Sequence, residues 1–134
     1  MSHSSVVAFA AALDKDDFET AIGFVTDDCV YDAPSGQIIG AKSIMDSYAK
    51  NAAWAREAFD SLEFRSHVET RSSSEAVVEY TDITVHRGIR HTYRCQQFVT
   101  INEEGKISAI KHREIPGQQE VLNAFFDKVG VKRP

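Results

Sequence analysis

Apolar positions along the chain follow two periods, and the change between them divides it. Up to Phe59 they recur at helical spacing. Val6, Phe9, Ala10 and Leu13 fall on one face of a first helix that Ser4 or Ser5 can cap. After the polar break Asp14–Asp17, Phe18, Ala21, Ile22 and Val25 repeat in the same way. They predict a second amphipathic helix reaching Val25, capped by Asp16 or Asp17. A third helix over Lys42–Phe59 turns Ile44, Met45, Tyr48, Ala52, Ala55 and Phe59 inward. Beyond Asp60-Ser61 the period falls to two. Strands are expected around Leu62, Phe64 and Val68, then over Ala76–His86, Ile89–Ile101 and Lys106–Glu114. Arg71–Glu75, Arg87-Gly88 and Asn102–Gly105 are the turns between them. Pro116-Gly117 stops the sheet, and Gln118–Val129 closes the chain as a helix with Val121, Leu122, Phe125 and Val129 on one face.

One stretch, Asp27–Gly40 (DDCVYDAPSGQIIG), interrupts the helical part. Cys29-Val30-Tyr31 reads as a short strand that ends at the carboxylate of Asp32. Pro34, Ser35 and Gly36 turn the chain, and Gln37–Ile39 returns it. Strands joined by short turns run antiparallel. Helices concentrated ahead of them can cover only one face of the sheet. The expected class is therefore α+β, a curved antiparallel sheet wrapped on N-terminal helices with a conical pocket between. The 134 residues contain no repeat or linker and read as one domain spanning 1–134.

Composition narrows the partners. With 43% hydrophobic and 26% charged residues the chain has an ordinary globular balance. Its net charge of -5 argues against nucleic acid, whose binding draws on excess Lys and Arg. No segment is long and apolar enough for a membrane and no basic leader is visible, so a cytoplasmic location without membrane contact is the expectation. Cys29 and Cys95 stand far apart, outside any CxxC pattern, and are expected as buried reduced thiols. No metal-ligand spacing, P-loop or dinucleotide glycine motif occurs, which implies a site without metal or cofactor. Arg90 and Arg94 share one face of their strand, opposite His91 and Tyr93, and read as a solvated or dimer-contacting face.

The order of elements resembles the nuclear-transport-factor-2-like superfamily, in its SnoaL-like, ketosteroid isomerase-like and limonene-epoxide hydrolase-like branch. The carriers are AALDKDDFETAIGFVTDDCVYDAPSG, then GAKSI opening the long helix, then FVTINEEGKISAIKHRE as the last two strands. The resemblance implies a cone-shaped fold and a small-molecule pocket. Against the ketosteroid isomerases, Phe9 stands in the place of the tyrosine donor, Ala33 in that of the base and Gln97 in that of the protonated aspartic acid. Against the epoxide hydrolases, Asp32 takes the place of the water-holding asparagine and Val30 that of a tyrosine. On the same comparison Asp82 matches the base aspartate, Tyr80 the arginine and His112 the acid aspartate.

These correspondences imply catalytic roles for Asp82 and His112, the carboxylate holding the imidazole in one tautomer or the imidazole lowering the carboxylate. Asp32, Tyr80, Gln97, Tyr48 and Trp54 are the expected substrate contacts, with Tyr80 or Gln97 donating to a developing enolate oxygen. Plainer roles compete at each position. Asp82 can be a solvent-facing strand residue, His112 an exposed edge residue, Asp32 a turn former, and Tyr80 and Gln97 simple packing. The expected function is a cofactor-independent isomerase, cyclase, dehydratase or hydrolase acting by proton transfer on an apolar cyclic or carbonyl ligand. The alternative is a non-catalytic binding or dimerisation module on the same fold. The superfamily also implies a homodimer, formed here through an outer sheet face carrying Phe98.

Overall fold

The elements run α1 (Ser4–Asp14), α2 (Phe18–Ile22), β1 (Val25–Ala33), β2 (Gly36–Ile39), α3 (Ala41–Ala58), β3 (Ser61–Thr70), β4 (Glu75–His86), β5 (Ile89–Ile101), β6 (Ile107–Glu114) and α4 (Gln118–Val129). This computed structural model describes residues 4–132. The first three residues, which belong to the stretch read above for a leader, and residues 133 and 134 lie outside it.

The second helix is shorter than its periodicity suggests. Asp17 caps it, its Oδ1 accepting the Thr20 N–H at 3.2 Å. It closes at Gly23, and Val25 already belongs to β1. The reason is tertiary. Val25 pairs with Ile107, and the Ile107 N–H donates to the Phe24 carbonyl at 2.8 Å. A strand ladder satisfies this backbone, and β-branched Val25 and Thr26 suit a strand. The expected three-residue strand thus becomes one of nine residues.

The described strands form a curved, unclosed sheet in the order β2-β1-β6-β5-β4-β3. β1 joins β6 in parallel, whereas every other pairing is antiparallel. That one parallel pairing places β6 inside the sheet, so His112 is not an edge residue. Gly40 turns the chain from β2 into α3 at φ 101°, a conformation that disfavours any side chain. Its N–H is tied to the Cys29 carbonyl at 2.8 Å.

Two apolar clusters hold the sheet and helices together. The larger contains Val6, Phe9, Ile44, Val78, Val99, Ile107 and Ile110, all fully buried. The smaller joins Ala55 and Phe59 near the end of α3 to Leu122, Phe125, Phe126 and Val129 on α4. Both cysteines are free and buried. Arg90 and Arg94 point outward, and His91 turns inward to stack on Phe125 with ring centres 4.9 Å apart.

Candidate functional site

Period-two alternation turns one set of side chains from β3, β4, β5 and β6 onto the concave face, and the register aligns them in rows. Val68, Val78, Gln97 and His112 make the first row. Ser66, Tyr80, Cys95 and Glu114 make the second, Phe64, Asp82 and Tyr93 the third, and Leu62, Thr84 and His91 the fourth. The first row adjoins the larger apolar cluster, while Leu62 and Tyr93 pack on the smaller one. A cavity of about 740 Å³ lies against these rows. Tyr31 and Ala33 of β1, Tyr48, Asn51 and Trp54 of α3, and Leu122 and Phe126 of α4 complete its wall.

Gln97 is the centre of the deep end. It is 3% exposed. The Tyr48 hydroxyl donates to its Oε1 at 2.7 Å, and its Nε2 donates to the Tyr31 hydroxyl at 3.2 Å. The same amide nitrogen faces His112 Nδ1 at 3.4 Å. An NH2 group cannot accept, so Nδ1 is the acceptor and the neutral ring carries its proton on Nε2. His112 also stacks on Tyr31, with ring centres 6.4 Å apart. Burial lowers its pKa below the ordinary 6.5, opposed by the charge of Glu114 two residues away. Burial pushes the Tyr31 hydroxyl up to about 12, and Tyr48 well above its ordinary 10.

The state of His112 sets a pH dependence. Its native pKa lies below the unfolded value, so the native protein binds fewer protons between the two and stability rises with pH there. Stability from this group is complete above pH 6.5 and is lost as pH falls through the lowered native value. A proton NMR titration is expected to place the His112 midpoint below 6.5; a midpoint at or above it would remove the neutral-ring assignment.

A second polar station stands beside the second row. Asp14 ends α1, and its Oδ2 accepts from Ser66 Oγ at 2.6 Å. Ser66 is the register partner of Tyr80. The Asp14 Oδ1 and the Tyr80 hydroxyl are both shielded from solvent without a hydrogen-bond partner. Burial raises the Asp14 carboxyl, against the opposing bond from Ser66. Burial also holds Tyr80 well above 10, reinforced by the negative charges that Cys95, Asp14, Tyr31 and Asp82 can carry. Cys95, on the same wall, is pushed up to about 12 by burial and then by Asp82.

Asp82, His112, Tyr80, Gln97, Tyr48 and Trp54 all line the cavity. Asp32 does not. Its strand neighbours Tyr31 and Ala33 do, and successive side chains on a strand point to opposite faces. Asp32, expected to face the cavity, therefore points away from it, and Tyr31 and Ala33 line it in its place. The direct pairing of Asp82 with His112 is also corrected. β5 runs between their strands and they sit two rows apart, a separation of roughly 16 Å between Cα atoms in a flat sheet. Asp14 and Glu114, both on the wall, were absent from the expected set. Asp14 lies four residues after buried Ala10, a carboxylate carried on the apolar face of α1, and that spacing was its signal.

Trp54 meets Phe59 and Phe126 edge-on, with ring centres 5.8 and 6.1 Å away. These rings form an apolar wall opposite the polar rows.

A SnoaL-like domain model matches residues 6–110. The chain belongs to the SnoaL-like family. Solved structures share the fold at low identity. An NTF2-like protein of unknown function from Cytophaga hutchinsonii is 15% identical with a TM-score of 0.63, over 91% of this chain and 96% of that one. A candidate polyketide cyclase from Xanthomonas campestris pv. campestris is 16% identical with a TM-score of 0.66, covering 94% of each chain. An LEH-like epoxide hydrolase from M. tuberculosis is 18% identical with a TM-score of 0.61, over 93% of this SnoaL-like chain and 94% of its own. No curated protein matches the sequence significantly. Among the described residues no helix is long and apolar enough to cross a membrane.

Proposed function

We propose that this SnoaL-like chain binds an apolar cyclic or carbonyl-bearing small molecule in the cavity and acts on it by proton transfer, with its own side chains as the acid and base. The observation that carries this reading is one cavity wall with a neutral histidine held by Gln97 at one end and the Asp82 carboxylate at the other. His112 Nε2–H polarises a ligand oxygen, and Asp82 takes a proton from carbon. The separation of the two groups supports one ligand type. The electron pair released at the Asp82 end must reach an oxygen at the His112 end, so the ligand is conjugated between them. Return of the proton from Asp82 to another carbon completes an isomerisation, and its transfer to a departing hydroxyl, which leaves as water, completes a dehydration. A cyclase and an epoxide hydrolase among the structural neighbours are consistent with small-molecule chemistry on this fold.

A second reading, binding without catalysis, is favoured by the lack of direct Asp82–His112 pairing. Native mass spectrometry of the purified protein, followed by turnover of the molecule it retains, separates the two. Asp82→Asn and His112→Gln are each expected to lower turnover at least a hundredfold while leaving the ligand bound. Turnover unchanged in both variants removes them from the mechanism, and binding with no turnover in the wild type establishes the binding module. A homodimer is part of the same proposal. It is supported by Phe98, 37% exposed on the outer sheet face beside Arg71.

A further inference from the structure

We infer that Asp14 and Tyr80 form a binding station for a ligand hydroxyl, and that the cavity selects a neutral, flat ligand carrying one. This rests on the cavity being a ligand site and specifies what enters it. Buried polar atoms in folded proteins almost always have a partner, and those that lack one call for an explanation. The Asp14 Oδ1 and the Tyr80 hydroxyl are two such atoms on residues of the cavity wall. The other three such atoms among the described residues, on Asp16, Thr26 and His91, belong to residues outside that wall. Ser66 links the pair structurally, as the hydrogen-bond donor to Asp14 and the register partner of Tyr80.

The chemistry of the two atoms restricts the ligand group. Ionised Asp14 only accepts, and the phenol of Tyr80 has a proton to donate. A hydroxyl answers both, donating to Oδ1 and accepting from Tyr80. A ketone answers only the tyrosine and an ammonium only the carboxylate. An anion is refused, because Asp14, Asp82 and Glu114 line the cavity while none of its described lining residues is Lys or Arg. The body of the ligand meets Trp54, Phe59 and Phe126, whose rings favour a flat apolar partner. Such a group suits the conjugated ligand proposed above, as a phenol or enol.

The test compares naphthol, its methyl ether and naphthoate by NMR titration. The wild type is expected to bind naphthol at least tenfold more tightly than the ether, about the worth of one hydrogen bond to a charged group, and to bind naphthoate most weakly. Asp14→Ala is expected to reduce the naphthol-to-ether ratio to about two, because only the hydroxyl donates to Oδ1, whereas Tyr80→Phe, which removes a proton that both probe oxygens accept, is expected to weaken both about fivefold. Asp14→Asn, which keeps an acceptor oxygen, gives an intermediate ratio and serves where the alanine variant does not fold. A ratio unchanged in Asp14→Ala overturns the station, as do affinities unchanged in Tyr80→Phe or naphthoate binding as tightly as naphthol. Equal affinity for all three probes would remove the station and leave the cavity as a ligand site. Failure of all three to bind would remove both.

Discussion

Replacing Gln97 by leucine is expected to lower the unfolding free energy by about 3 kcal/mol. The shapes are similar, so packing accounts for little of this. The loss falls on the partners. Tyr48 loses its acceptor, Tyr31 loses its donor, and His112 Nδ1 loses the amide that faces it. A buried polar group left unpaired costs roughly 1–3 kcal/mol, and water entering the adjoining cavity recovers part of that. Urea denaturation with an unchanged m-value measures the effect. A change below about 1 kcal/mol would mean that the network does not hold the deep end together. Gln97→Glu is the complementary variant. A carboxylate beside Nδ1 favours the imidazolium, so the His112 midpoint is expected to rise relative to wild type. No upward movement would contradict the geometry at this position.

Phe59→Ala is expected to be more costly still, at about 4 kcal/mol. Phe59 closes α3 in extended backbone, its N–H bonded to the Ala55 carbonyl at 3.1 Å. Its ring lies against Phe125 and Phe126, with centres 6.1 and 5.5 Å away. Edge contacts to Trp54 and to His86 of β4 complete the cluster. Removing it unlinks α3, α4 and β4 together and opens the apolar wall. The loss is therefore expected to be uneven. Amide exchange over Leu122–Val129 should accelerate more than exchange over Val77–Ile83 at the same destabilisation. Uniform acceleration would show that α4 is held by the rest of its face and not by this ring.

Much of the fold was legible because local patterns and global packing agree. The strand Ile89–Ile101 and the helix Gln118–Val129 have the bounds read from the sequence, but the apolar face expected of that helix is corrected at one position: Val121 is 55% exposed, and Phe126 is buried beside Leu122, Phe125 and Val129. Val25 was misplaced because helical spacing continued past Gly23 while the backbone found a partner 82 residues later in Ile107. Asp32 was misplaced for a related reason. The two comparisons differed by one residue along β1, and on a strand one residue changes the face. Tyr31 could have been preferred by counting in twos from buried Cys29.

Composition and periodicity were enough for an α+β chain with helices ahead of a meander of long strands, with buried thiols and with polar groups on the inner strand faces. Those features depend on neighbours in the chain, where period and propensity act. The meeting of Tyr31 with His112 and Gln97, the separation of Asp82 from His112, and the unpartnered pair on Asp14 and Tyr80 depend on register across strands. They also depend on the parallel union of β1 with β6. No local pattern encodes that union, because its free energy comes from burying α1 and α3 against a curved sheet.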